Sequence, residues 1–104
     1  RPMETLLAGA GACTAYDVVL ILKRGRHDVR GCEVKMSADR AQTDPKVFTR
    51  IGMHFVVSGV GLPPAVVERA VKLSHDKYCS AVAMLGKTAQ IDCSVELKDL
   101  AAPA

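Results

Sequence analysis

Between Thr5 and Leu22 the chain carries a single charged residue, Asp17. The run is about as long as the ~18 residues at which a membrane-spanning helix is considered. Its residues argue against that. A carboxylate at mid-membrane costs roughly 2.5–3.5 kcal/mol on insertion scales. The run is also diluted by Thr5, Gly9, Gly11 and Thr14 and has no Trp or Tyr belt at its ends. The better reading is a soluble helix buried nearly all round. Small residues at Ala8, Gly9, Ala12 and Ala15 let neighbours approach closely. A chain of 104 residues makes one domain, residues 1–104, and cannot easily enclose such a helix alone. A homodimer is expected.

The ends of that helix are marked. Pro2 suits a first turn and Glu4 sits well beside the positive end of the dipole. Lys23 and Arg24 meet the negative end, and Gly25 is the stop. Strict alternation follows. Cys32, Val34, Met36 and Ala38 point one way and Glu33, Lys35, Ser37 and Asp39 the other. After a loop from Asp39 to Lys46, Ile51, Met53, Phe55 and Val57 share a strand face opposite Arg50 and His54. Ser58-Gly59-Val60-Gly61 is expected to break that strand. Pro63-Pro64 opens a helix with Val67, Ala70, Val71 and Ser74 at helical spacing, and Asp76 is expected to cap a second one ending at Gly86. A last strand carries Ala89, Ile91, Cys93, Val95 and Leu97 inward. The order predicts an α+β fold in which a long central helix and a helical pair pack on an antiparallel sheet.

Composition narrows the function. With 49% hydrophobic residues and mixed charges summing to +3, the chain is neither disordered nor a basic nucleic-acid surface. Two Phe, two Tyr and no Trp leave little for base stacking. Four cysteines, at 13, 32, 79 and 93, show no Cys-x-x-Cys spacing, and no histidine stands three to five residues from another. A zinc ribbon and a disulfide-stapled scaffold are both disfavoured. A reducing, cytoplasmic setting is expected, in which a paired cysteine would carry chemistry.

The four thiols sort by context. Cys32 and Cys93 fall on apolar strand faces, where cysteine serves as a small hydrophobe. With Asp76 as cap, Cys79 stands three residues into a helix, where backbone N–H groups favour a thiolate, although inward packing beside Val82 is equally open. Cys13 lies mid-helix, and apolar burial there favours the inert thiol. Glu4 precedes it by nine residues, about 13–14 Å along a straight helix and half a turn out of phase. The two could meet only through a fold-back or a partner chain. Asp17 reads as a buried polar contact across a dimer, and His27, His54 and His75 as scattered solvent-facing residues.

Two segments carry a family resemblance. One is Pro2-Met3-Glu4 with Ala8-Gly9-Ala10-Gly11-Ala12-Cys13 and Asp17-Val18-Val19; the other is Asp76-Lys77-Tyr78-Cys79-Ser80. With the element order, they make the chain resemble the OsmC/Ohr family of thiol-dependent peroxidases, more closely its OsmC-like branch, from about Pro2 to Leu97. The resemblance implies an intertwined homodimer with active sites at the subunit interface. It makes Cys13 the peroxidatic cysteine, Cys79 the resolving cysteine and Glu4 the active-site carboxylate. Small-molecule peroxide would be the substrate and an external dithiol the reductant, with no metal, flavin or haem. Met3 stands where the hydroperoxide-resistance branch has its carboxylate, and Ser80 where it has proline. The family's activating arginine belongs to an N-terminal strand segment that this sequence is expected to lack, beginning as it does at Arg1-Pro2. The competing expectation is a non-catalytic dimer of the same fold that binds an apolar small molecule, its thiols inert.

Overall fold

The computed structural model describes residues 2–100. The long apolar run is a helix, α1 (Pro2–Arg24), with Glu4 in its first turn and Lys23 and Arg24 in its last. Its end is made by two neighbours. The Gly25 N–H bonds the Ile21 carbonyl and the His27 N–H bonds that of Leu22, while Arg26, not Gly25, takes the left-handed conformation at φ 62°. That reversal leads into β1 (Asp28–Arg40), which pairs antiparallel with β2 (Phe48–Val60). Val34 opposes Phe55 and Met36 opposes Met53, so the two alternating apolar sets share one face.

β2 is the central strand, flanked by β1 and by β3 (Gln90–Asp99), and it holds the core: Ile51, Met53, Phe55 and Val57 are all buried. It runs on through Ser58-Gly59, past the expected break, because Gly59 is paired on both sides, to Val29 and to Asp99. The turn comes at Gly61, whose φ of 64° favours glycine. Pro64 then begins α2 (Pro64–Leu73), which buries Val67, Ala70 and Val71.

Three local expectations need correction. Asp76 caps no helix: Ser74–Tyr78 is a single π-helical turn, and the Asp76 carboxylate instead meets His75 Nδ1 at 2.7 Å. The next helix, α3 (Ser80–Leu85), has Cys79 itself as its N-cap residue, not three residues inside. The sheet is mixed rather than antiparallel, since β3 runs parallel to β2. The chain leaves the far end of β2 at Val60, crosses back through α2, the π turn and α3, and starts β3 beside Arg50 near the beginning of β2, and such a crossover yields a parallel pair. The fold remains α+β.

α1 lies against β1. A Cβ on Gly11 would sit 3.3 Å from Met36 Sδ, so glycine allows helix and strand to approach. Ala10, Gly11, Thr14, Val18 and Leu22 are buried on that side. On the other side Leu6 and Tyr16 keep 54% and 68% of their surface exposed. One chain therefore encloses only one face of this helix.

Candidate active site

The π turn builds the site from both of its ends. At its start, Ser74 is fully buried and its hydroxyl donates to Asp17 Oδ2 at 3.1 Å. At its end, the Cys79 N–H reaches back to the Ser74 carbonyl at 2.9 Å, the i→i+5 bond that defines such a turn. The Cys79 carbonyl then accepts the first bond of α3, from the Ala83 N–H at 3.0 Å. Fixed between the two elements, Cys79 presents its sulfur to α1. Its S–H donates to Cys13 Sγ across 2.8 Å, joining residues 66 apart in the chain.

Both sulfurs are free thiols, in different surroundings. Cys79 is 2% exposed, whereas Cys13 is half-buried. Burial, then the bond donated to Cys13, pushes the Cys79 thiol up to about 11, against a smaller opposite pull from the Val82 and Ala81 N–H groups. The buried sulfur thus holds its proton, and the more accessible one receives the hydrogen bond. Asp17, one helical turn beyond Cys13, completes the cluster. Its carboxylate and both sulfurs offer donor atoms within 4.8 Å of one another. Thr14, on the buried side, bonds the Ala10 and Gly11 carbonyls at 3.1 and 3.0 Å, so its hydroxyl is spent on the helix itself. A cavity of about 350 Å³ begins at Asp17 and is walled by Leu20, Ile21, Leu73 and Tyr78, with Arg24 at its edge.

The other sequence candidates lie apart. α1 is continuous from Pro2, so Glu4 stays about 13–14 Å along the axis from Cys13 within one chain. Cys32 is half-buried on β1, and burial raises its thiol above the ordinary range. Cys93 departs from expectation: it is exposed. Its register partner is Met53, so it faces the helix side of the sheet as the alternation requires. β3, however, is an edge strand, and Cys93 lines an open cavity of about 400 Å³ shared with Val71, Lys72, His75 and Ile91. Partial burial, followed by the charges of Asp92 and Asp76, raises its thiol. Asp17 has a hydroxyl partner, Ser74, within its own chain. The spacing of four from Cys13 was the available signal for Asp17; the link to Ser74 depends on a π turn that no periodicity announces.

A buried thiol hydrogen-bonded to a more accessible one, on an α+β scaffold of a long helix and a mixed sheet, defines a paired-cysteine protein. The chain belongs to the OsmC-like protein family, whose model matches residues 1–94. It is similar to Protein YhfA of Escherichia coli strain K12, with 50% identity over 96 residues, covering 92% of this chain and 72% of that protein. A hypothetical protein from Aquifex aeolicus has the same fold at a TM-score of 0.89 and 35% identity, over 94% of this chain and 74% of that one. At 18% identity the fold is also shared, with a TM-score of 0.71 over 92% of this chain and 69% of the other, by a Legionella pneumophila protein described as organic hydroperoxide resistance protein OsmC.

Proposed function

We propose that this chain is a thiol peroxidase that reduces small hydroperoxides through Cys13 and Cys79. The observation that carries this is the 2.8 Å contact between a half-buried sulfur and a buried one that keeps its proton. In the first step the Cys13 thiolate attacks the peroxide O–O bond. Sulfur takes one oxygen as sulfenic acid, and the other leaves, protonated, as alcohol or water. In the second step the Cys79 thiolate attacks the sulfenic sulfur, a Cys13–Cys79 disulfide forms and water departs. An external dithiol restores both thiols and is itself oxidised. The adjacent cavity, apolar on Leu20, Ile21 and Leu73, suits an organic peroxide.

The exposed side of α1, with Leu6 and Tyr16, supports a homodimer, in which a second copy would bring its own Glu4 towards Cys13. Free thiols at all four cysteines suit a reducing, cytoplasmic setting. The same cavity supports the second reading, an apolar ligand bound without turnover; co-purified ligand in native mass spectrometry with thiols unchanged by peroxide would establish it. The deciding experiment titrates the reduced protein with an organic hydroperoxide and counts free thiols. Two lost per chain, and none at that pair in Cys13→Ser, supports the peroxidase. No loss at moderate excess rejects it.

A further inference from the structure

We infer that Cys13, Cys79 and Asp17 form a site for a thiophilic divalent cation, zinc(II), bound by two thiolates and one carboxylate oxygen. Three observations carry it. The donor atoms of the three residues lie within 4.8 Å of one another. They come from two separate elements: Cys13 and Asp17 lie one turn apart on α1, and Cys79 stands between the π turn and α3. The carboxylate is held by a buried hydroxyl, since Ser74 donates to Asp17 Oδ2 at 3.1 Å. An outer partner of this kind orients a ligating group at metal centres.

The donor chemistry selects the ion. Two sulfurs and one oxygen suit zinc, with bonds of about 2.3 Å to sulfur and about 2.0–2.2 Å to a carboxylate oxygen, and do not suit magnesium or calcium. Tetrahedral angles at those lengths set the sulfurs about 3.7 Å apart. The present 2.8 Å contact must therefore open by roughly 1 Å, which requires a rotation of one or both side chains. Binding replaces the proton of each thiol by a bond to the metal and releases both protons to the buffer, with no change of oxidation state. Three protein ligands leave a fourth position, on the side where Cys13 is accessible, for water or another small ligand. An ion held there occupies both sulfurs and shields them from oxidants. The inference needs no peroxide chemistry, so it stands or falls separately from the peroxidase reading.

The test uses the full reduced chain without peroxide, titrated anaerobically with zinc(II) in competition with a chromophoric chelator. One equivalent per chain is expected. Cys13→Ser and Cys79→Ser should each weaken binding by about a hundredfold or more, Asp17→Asn and Ser74→Ala by about tenfold, and Cys32→Ser and Cys93→Ser less than twofold. Cobalt(II) added to the unaltered chain provides a measurement that no variant's folding can confuse. Sulfur-to-cobalt charge-transfer absorption with tetrahedral ligand-field bands is expected, and its loss when the pair is first oxidised to the disulfide. No binding at micromolar zinc, unchanged affinity in Cys13→Ser, unchanged affinity in Asp17→Asn, or an octahedral cobalt spectrum would each overturn the three-ligand site.

Discussion

The molecule holds two kinds of cysteine, and the contrast lies in what surrounds them. Cys32 and Cys93 ride on strands, Cys32 packed against the apolar core and Cys93 open on the edge, and neither has a thiol partner among the described contacts. Cys13 and Cys79 come from helical elements far apart in sequence, and a π turn brings one sulfur to the other. Exposure does not separate the two kinds. Cys93 is the most open of the four and Cys79 the most buried. What sets Cys13 and Cys79 apart is a second sulfur and a carboxylate close by, and accessibility alone confers neither.

Substitution is the hardest way to break that contrast. Cys13→Ser should lower peroxide turnover about a thousandfold, ~4 kcal/mol of barrier, whereas Cys32→Ser and Cys93→Ser should stay within twofold in a dithiol-coupled assay. Comparable losses at Cys93 would erase the distinction. Cys79→Ser should have the next largest effect and a different signature. The first equivalent of peroxide is still consumed, but dithiol-supported turnover falls about a hundredfold and Cys13 proceeds to sulfinic acid, visible by intact mass.

Acidity sharpens the comparison within the pair. With the Cys79 thiol pushed up to about 11, roughly one chain in ten thousand carries that thiolate at pH 7. The resolving step requires the thiolate, and burial, the largest cause of the upward shift, persists once Cys13 is oxidised, so its rate should rise with pH above 7. Stopped-flow measurement of disulfide closure after a single peroxide equivalent tests the sign. A rate that is flat or falling with pH would show that the buried sulfur does not hold its proton. The smallest expected effect is on stability. Ser74→Ala removes the hydroxyl from Asp17 and should cost about 1–3 kcal/mol. Thermal unfolding should then shift down by about 4–8 °C for each kcal/mol. Cys93→Ser on the open edge should change stability by less than about 0.5 kcal/mol.

Much of this was legible from residue order. The apolar run with Lys23 and Arg24 near its end marked the extent of α1, and period-two alternation placed Met36 on the sheet face that holds Met53 and Phe55. Alternation is blind to strand direction, however, so the parallel β2–β3 pairing went unseen. It is equally blind to lateral position, which is why Cys93 faces the correct side yet stays open on an edge strand. The two cysteines of the site could be named from motif context, and Asp17 from its spacing of four from Cys13, but the pairing of Asp17 with Ser74 could not. Their meeting depends on a backbone ring one residue wider than an α-helix permits, and hydrophobic spacing in Ser74–Tyr78 carries no mark of it.

The most direct measurement is the identity of the first bond that forms. The reduced chain, given one equivalent of an organic hydroperoxide, alkylated at once and digested, should yield a Cys13–Cys79 cross-linked peptide, with Cys32 and Cys93 recovered as alkylated thiols. Oxidation appearing first at the exposed Cys93, or a cross-link that joins any other pair, would contradict the assignment.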